Sequence, residues 1–169
     1  MNCSIVDTNV VLVANGQHAD ISPNCVEACA LKLKAIMDAG RLALDDQFLI
    51  LMEYQNKTTP RRARGPGDAF VRWALQNNAN ADRVDCVPLV MDPDRGFESF
   101  PDHPGLTTFD PPDRKFVAVA CAHAATPPIL QAADSKWLGW DVALRAHGVT
   151  VDFLCPEDIK RFQANKGGE

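Results

Sequence analysis

The chain has 169 residues, of which 46% are hydrophobic, and carries a formal net charge of −5. This length predicts one domain with a hydrophobic core of normal size, because the chain is too short for two domains that each bury a sufficient core. Without a long apolar run or a secretion signal, we expect a cytoplasmic protein with no membrane contact, and the acidic balance excludes a protein that coats nucleic acid with its whole surface.

The opening stretch, residues 2–7, predicts a buried strand because a short apolar run ends at an acid, Asp7. Residues 8–14 are predicted to begin a short helix or turn. Open α/β sheets bind ligands at the carboxyl ends of their strands, so Asp7 is placed for chemistry. The alternative is that Asp7 only caps the following helix, a common use of aspartate.

A longer helix is predicted to run from an N-cap at Ser22 to about residue 38 and to end at Gly40. Pro23 suits its first position. The apolar residues at helical spacing predict a buried face made of Val26, Ala30, Leu33 and Met37.

Six cysteines are scattered through segments that otherwise have the composition of a core. Cys25 and Cys29 stand four residues apart on the predicted helix, but no second pair and no histidine cluster completes a zinc set. We therefore expect reduced, buried thiols.

A short strand at residues 41–44 is followed by a helix that Asp45 or Asp46 can cap. Glu53 interrupts the apolar surface of this helix, so it lies either at the rim of the core or in a site.

A flexible basic loop at residues 57–67 comes next. Its arginines are candidate contacts to a phosphate backbone, although such a charge run also suits a solvated face; they are Arg61, Arg62 and Arg64.

Residues 68–77 predict a further helix, and residues 84–89 predict a strand. Residues 91–109 are rich in Pro, Asp and Gly, and we expect a long surface loop there. The most apolar helix of the chain follows and is predicted to be central. Asp110 suits its N-cap and Asp113 its third position, where acids stabilise a helix without any role in a site.

Residues 128–133 predict a strand that again ends at an acid, Asp134. A helix at residues 135–147, a strand at residues 149–154 and a terminal helix from Pro156 complete the chain.

Strands that alternate with helices predict an α/β fold, a three-layer α/β/α sandwich with a mainly parallel central sheet. We expect one domain over residues 1–165, with an extended segment at about 57–109 and a disordered tail at 166–169. Parallel strands share one carboxyl edge, so Asp7 and Asp134 meet there if their strands are near neighbours.

Four short pieces of the sequence, taken in order, resemble the PIN-domain nucleases, which include the VapC-type toxins. The pieces are Ile-Val-Asp-Thr-Asn at residues 5–9, Met-Glu-Tyr at 52–54, the run at 113–120, and Ala-Ala-Asp-Ser at 132–135. Together they span nearly the whole chain.

The resemblance implies a PIN-like fold whose acids bind Mg²⁺ or Mn²⁺ and hydrolyse single-stranded RNA. Carried over residue by residue, the acidic site comprises Asp7, Glu53, Asp113 and Asp134. Metal ligation falls to Asp7, Asp113 and Asp134, while Asn9 and Ser135 are the polar supports that orient the carboxylates. The resemblance also implies a homodimer and an inhibitory, antitoxin-like partner. Hard cations prefer carboxylate oxygens, and a metal-activated water needs no protein nucleophile.

The chain departs from the family pattern in its length and at Lys136, where many relatives carry a further acid; Asp141 is a candidate substitute about a turn and a half along the helix. One alternative is therefore a catalytically degraded module that binds RNA or protein without turnover. A second is a phosphohydrolase with Asp7 as a covalent nucleophile. Such enzymes, as in the haloacid dehalogenase family, usually place another aspartate two residues on, where this chain has Asn9.

Overall fold

The structure, a computed structural model, describes residues 2–166. Its strands are β1 Cys3–Val6, β2 Arg41–Asp45, β3 Val84–Val87, β4 Met91–Asp92, β5 Gly96–Phe97, β6 Ile129–Gln131 and β7 Val151–Phe153. Five of them form one parallel sheet in the order β3-β2-β1-β6-β7, while β4 and β5 form an antiparallel hairpin.

The α-helices are α1 Thr8–Ala14, α2 Pro23–Ala39, α3 Leu49–Lys57, α4 Pro66–Asn77, α5 Arg114–Ala122, α6 Lys136–Ala146 and α7 Pro156–Lys166. Short 3-10 helices lie at Pro104–Leu106 and Pro111–Asp113. Because parallel crossovers are right-handed, helices α1 to α4 lie on one face of the sheet, and α5 and α6 lie on the other. The predicted α/β architecture, compatible with a three-layer sandwich, is confirmed.

The chain changes direction across the sheet at β1. It adds β2 and β3 on one side and then returns to place β6 and β7 on the other. β1 and β6 are therefore neighbours, with Ile5 opposite Ile129 and the N–H of Asp7 donating to the carbonyl of Leu130 at 3.0 Å. Open α/β sheets bind ligands at such a topological switch point.

Helix α5 is the central helix, as predicted. Residues 116–120 are completely buried, and the helix packs on β1, β2 and β6. Its predominantly small and β-branched side chains let it lie close to the sheet, and its N-terminus therefore sits near the carboxyl edge.

The segment at residues 91–109 is not the surface loop that its composition predicted. Four of its apolar side chains are buried, and the ring centroid of Phe109 lies 5.0 Å from that of Trp137 and 4.4 Å from that of Trp140. Proline and glycine correctly predicted irregular backbone, but spaced aromatic residues attach this backbone to α6. The buried residues are Phe97, Phe100, Leu106 and Phe109.

The predicted buried face of α2 was wrong by about one residue. The helix starts and stops as predicted, with the Ser22 Oγ accepting the N–H of Cys25 at 3.2 Å. However, the fully buried residues are Cys25, Cys29, Leu33 and Ile36, and only Leu33 was predicted. Val26, Ala30 and Met37 are partly buried. The sequence offers two adjacent apolar stripes, and packing against α1, α4 and β2 buries the one that carries the cysteines.

The prediction of reduced, buried thiols was also wrong in part: two of the six cysteines are oxidised, and of the four free ones only Cys29 is buried, while Cys86 is exposed. Cys25 and Cys155 form a disulfide that joins α2 to the residue before α7. Their separation of 130 residues gives no local spacing from which this pairing could be predicted.

The predicted tail at 166–169 begins inside α7, which extends to Lys166, and residues 167–169 lie outside the described residues. The segment at 57–109 contributes α4 and β3 to the main fold. Within residues 2–166, no helix has both the length and the apolar character needed to cross a bilayer.

Candidate active site

Asp7 stands directly after β1 and is the N-cap of α1. Its Oδ1 accepts the backbone N–H of Asn9 at 2.7 Å, so the capping role considered from the sequence is present. The other oxygen, Oδ2, is buried and has no hydrogen-bond partner in the described part of the chain. A buried polar oxygen without a partner costs free energy, so capping alone does not account for this carboxyl group.

The three other predicted acids lie near enough to act on Asp7 electrostatically. The pKa of Asp7 is raised to about 8, first by burial and then by the charge of Asp113, with smaller contributions from Glu53 and Asp134. The carboxyl groups come from the ends of two neighbouring strands, from α3 and from the start of α5. The structure therefore gathers at one sheet edge four acids that are far apart in sequence.

Asp113 does not have the capping role that its position suggested. Neither it nor Asp110 makes a side-chain capping hydrogen bond to its helix. The pKa of Asp113 is raised to about 6, first by burial and then by the charge of Glu53, while Lys115 acts in the opposite direction. A carboxyl group that is half-buried beside like charges and caps no helix is available for a ligand.

Glu53 is turned toward the other acids and held by two partners. Its Oε2 accepts the hydroxyl proton of Thr8, and its Oε1 lies 3.0 Å from the Nζ of Lys115. Lys115 is only 8% exposed and also donates to the carbonyl of Pro112. The neighbouring Tyr54 donates its hydroxyl to the carbonyl of Val6, which fixes α3 against the end of β1. Glu53 is thus pre-oriented by its surroundings.

Asn9 links the two strand ends that carry Asp7 and Asp134. Its backbone N–H binds Asp7, and its Oδ1 accepts the N–H of Ala133 at 3.2 Å. Ser135 differs, because its Oγ accepts a hydrogen bond from Lys166 at 2.9 Å. Within the described residues, no hydrogen bond joins Ser135 to an acid of the site, and its supporting role stays a prediction.

Lys136 faces the outer rim of the acidic cluster. Its Nζ lies 3.3 Å from the Oδ2 of Asp110, and both side chains are well exposed. Asp141, the candidate substitute for a missing acid, pairs instead with Arg145 at 3.0 Å on its own helix. Asp110, rather than Asp141, is the additional acid near the site, since its charge also raises the pKa of Asp113.

The arginine loop, residues 57–67 with the exposed Arg61, Arg62 and Arg64, is anchored at its base. The carboxylate of the buried Asp68 accepts the backbone N–H groups of Thr59 at 2.9 Å and Arg64 at 3.1 Å. These bonds hold the backbone while leaving the guanidinium groups in solvent. The loop that the sequence predicted to be flexible is therefore fixed at its two ends.

The donor set fits a hard divalent cation only in part. Carboxylate oxygens are the ligands that Mg²⁺ and Mn²⁺ prefer, and the unpaired Oδ2 of Asp7 is available. However, the groups of three or more ligand atoms lying within 4.8 Å of one another in residues 2–166 do not include these acids. One cation would thus contact at most two of them directly, and the others would act through water, which suits the hydration that Mg²⁺ retains.

Two clefts open beside the acids. One, of about 490 Å³, is lined by Glu53, Lys115 and Phe97, and the other, of about 480 Å³, is lined by Asn9 and Asp134. A cavity of about 740 Å³ lies elsewhere, along β3 and the end of α5. Its lining is mostly apolar and includes none of the four acids.

The sequence did not predict the roles of Thr8 and Lys115. Thr8 directly follows Asp7 within the Ile-Val-Asp-Thr-Asn stretch at residues 5–9, so its position gave a signal. Lys115 gave a weaker one, namely a cation within a run of buried residues, where a charge must be paired. No protein-family model, curated protein or solved structure matches the chain, and the case for a function therefore rests on the residues of this site.

Proposed function

We propose that this protein is a divalent-metal-dependent endoribonuclease that hydrolyses single-stranded RNA. The observation that carries the proposal is the buried, unpaired Oδ2 of Asp7 at the switch point of a parallel sheet, in a carboxyl group whose pKa is raised by burial and by the charges of three further acids. An acid cluster that repels itself without a cation is typical of sites that bind metal and phosphate. The resemblance to PIN-domain nucleases supports RNA as the substrate.

In this proposal each residue of the site has a distinct task. Asp7, Asp113 and Asp134 would hold Mg²⁺ or Mn²⁺, two of them directly. When bound, such an ion polarises a phosphoryl oxygen and lowers the pKa of a coordinated water. Asn9 keeps the ends of β1 and β6 at a fixed separation, and so keeps Asp7 and Asp134 in register.

Glu53 and Lys115 would act together beside the ion. Thr8 and Lys115 orient the Glu53 carboxylate, which leaves it able to accept a hydrogen bond from the attacking water. The Lys115 ammonium contributes positive charge where a phosphate group would add negative charge. The arginine loop would contact the RNA backbone away from the scissile bond, without reading sequence.

The test is cleavage of an end-labelled single-stranded RNA in Mg²⁺, in Mn²⁺ and in excess chelator. We expect cutting that requires a metal ion and that Asp7→Asn abolishes. Asp102→Asn is the matched control, because Asp102 is an exposed aspartate outside the site. Cutting that survives Asp7→Asn, or that persists in chelator, would contradict the proposal.

The second candidate is a module that binds RNA without turnover. The Lys115–Glu53 ion pair favours it, because an internal cation already neutralises part of the acidic cluster. RNA binding that is unchanged by chelator, with no cleavage product from several RNAs, would support this candidate.

A phosphohydrolase with Asp7 as nucleophile is a weaker candidate, since the side chain of Asn9, which stands where such enzymes place a second aspartate, binds the N–H of Ala133. Trapping with a phosphate mimic that requires an aspartyl nucleophile distinguishes it.

The homodimer, the antitoxin-like partner and the cytoplasmic location are proposals that come from the resemblance and the composition. Light scattering after gel filtration measures whether the protein is a homodimer.

The Cys25–Cys155 disulfide bears on the cytoplasmic location, because cysteine pairs in the cytosol are usually kept reduced and form disulfides only in response to oxidation. In a reducing compartment we expect both sulfurs as thiols.

A further inference from the structure

Three cysteine sulfurs meet where α2 packs against the start of α7. The Sγ atoms of Cys25, Cys29 and Cys155 all lie within 4.8 Å of one another, and all three residues are buried. Cys25 and Cys29 are one turn apart on α2, while Cys155 immediately precedes α7. Two of the sulfurs form the disulfide, and the Cys29 Sγ lies 3.9 Å from the Cys155 Sγ. The third ligand that the sequence lacked is supplied by the fold.

We propose that, once the disulfide is reduced, Cys25, Cys29 and Cys155 form a binding site for a thiophilic metal ion of the Zn²⁺ class. Zinc holds thiolate sulfurs at about 2.3 Å, which places neighbouring sulfurs of a tetrahedral site about 3.8 Å apart. The separation between Cys29 and Cys155 already matches this spacing. Only the opening of the bond between Cys25 and Cys155 is required to bring the third sulfur into place.

The surroundings suit the charge of such a site. Three thiolates and one Zn²⁺ carry a net charge of −1. The Cys155 sulfur stands at the N-terminus of α7, an eleven-residue helix, whose dipole favours negative charge. The Arg161 guanidinium lies one turn further along, 3.2 Å from Asp158. The Asp158 carboxylate opposes negative charge at the cluster, since it raises the pKa of Cys29, but Ser22 and Arg161 both bind it. The helix dipole and Arg161 are therefore the groups that favour the metal-thiolate charge.

An ion can reach the cluster from solvent. A cleft of about 440 Å³ beside it is lined by Cys25 and Cys155 together with Ser22, Asp158 and Arg161. Zinc normally takes four ligands, and the cleft offers space for water at the fourth position. Asp158 is not that ligand in this arrangement, because both of its oxygens accept hydrogen bonds from Ser22.

Formation of the site involves reduction followed by proton release. Two equivalents of a thiol reductant break the Cys25–Cys155 bond; two electrons and two protons pass to the two sulfurs, and the reductant leaves as its own disulfide. Burial, and then the charge of Asp158, raises the pKa of Cys29 to about 12, so this thiol is protonated without metal. Metal binding then displaces one proton from each of the three thiols.

A second group of candidate ligands, Cys3, Asp85 and His123, provides an instructive contrast. The His123 Nδ1 accepts the N–H of Ala125 at 3.0 Å, so its Nε2 carries the proton and donates to Asp85 at 2.8 Å. A metal-bound histidine needs the opposite arrangement, with its second nitrogen donating. Arg41 also occupies the Asp85 carboxylate. This group holds elements together by hydrogen bonds and is not proposed as a site.

The test uses Co²⁺ as a spectroscopic substitute for Zn²⁺ with the whole protein, oxidised and reduced. Cobalt bound by thiolates shows a charge-transfer absorption that carboxylate-bound cobalt lacks, so the acidic cluster is silent in this assay. We expect the band to appear and reach a plateau in reduced protein, to disappear when Zn²⁺ is added, and to be absent from oxidised protein. Its absence from reduced protein that retains native circular dichroism would overturn the proposal.

Variants separate this cluster from the other thiols. Cys29→Ser should weaken binding by more than about tenfold, whereas Cys121→Ser, at a half-buried cysteine outside the cluster, should leave it unchanged. An unchanged band in Cys29→Ser would refute the three-sulfur site. Should Cys29→Ser fail to fold, alkylation of reduced wild type decides: Zn²⁺ should protect Cys25, Cys29 and Cys155, and modification of these three at the zinc-free rate would refute the site. None of these outcomes depends on the proposed nuclease activity.

Discussion

Replacing Asp7 with asparagine keeps the shape of the side chain and removes its ability to ionise. Burial, followed by the charge of Asp113, raises the pKa of Asp7 from 3.8 to about 8. Between these values the folded protein holds a proton that the unfolded chain has lost, so the free energy of unfolding falls as the pH rises. Each pH unit costs about 1.4 kcal/mol, which amounts to about 4 kcal/mol between pH 4 and pH 7.

Asp7→Asn lacks this penalty. In excess chelator at pH 7 we therefore expect the variant to be more stable than wild type by up to about 4 kcal/mol, equivalent to a Tm increase of about 8–16 °C for a chain of this size. The asparagine oxygen can still accept the N–H of Asn9, so the cap of α1 is kept. The difference should shrink as the pH falls toward 4, where the carboxyl of the unfolded wild-type chain also begins to take up a proton.

The measurement is urea and thermal unfolding at several pH values between 4 and 8, with chelator present and the disulfide kept oxidised. Asp102→Asn should follow wild type at every pH. Added Mn²⁺ should raise the Tm of wild type by more than that of Asp7→Asn, because the variant keeps Asp113 and Asp134 but lacks the Asp7 carboxylate. A Tm of Asp7→Asn below that of wild type at pH 7 in chelator, or parallel pH profiles, would refute the reasoning.

Three further changes test other parts of the molecule. Lys115→Met leaves the half-buried Glu53 among like charges without its cation, so the metal-free protein should lose up to about 3 kcal/mol, while the rise in Tm on adding Mg²⁺ becomes larger than in wild type. An equal rise would count against a shared site. Phe109→Ala removes a fully buried ring that packs on Trp137 and should cost about 3–5 kcal/mol in urea unfolding, whereas a surface loop would lose almost nothing. Changing the three arginines of the arginine loop to alanine should flatten the salt dependence of RNA binding, and an unchanged slope would remove the loop from the interface.

The elements of the fold were predictable because local chemistry marks their ends. Ser22 and Pro23 start α2, and Asp7 directly follows β1, as the sequence indicated, whereas β6 ends at Gln131, three residues before Asp134. The adjacency of β1 and β6 was not predictable from local patterns, since it depends on where the chain returns to the sheet. That adjacency, rather than any single motif, is what brings Asp7 and Asp134 together.

The sequence was least informative where contacts between distant residues decide which of two similar helix faces is buried or which cysteines pair. It could not tell which apolar stripe of α2 is buried, because both have helical spacing. It could not pair Cys25 with Cys155, and composition hid the aromatic anchors of residues 91–109. At the site itself, the acids were predictable by type, but the partners of Glu53 required the three-dimensional arrangement.

The Cys25–Cys155 bond also changes the topology of the molecule. In the chain-entropy view, closing a loop with a separation of 130 residues removes about 5 kcal/mol of freedom from the unfolded chain. Glu53, Asp113 and Asp134 lie inside this covalent ring, and Asp7 lies on the free arm that precedes it. Cleavage of one peptide bond in the arginine loop therefore leaves the oxidised protein as one covalent molecule, because the disulfide joins the two fragments. After reduction of the cleaved protein, Glu53 and Asp113 are on two separate polypeptides. Oxidation thus makes the arginine loop a position at which the backbone can be opened without dispersing the acids of the site.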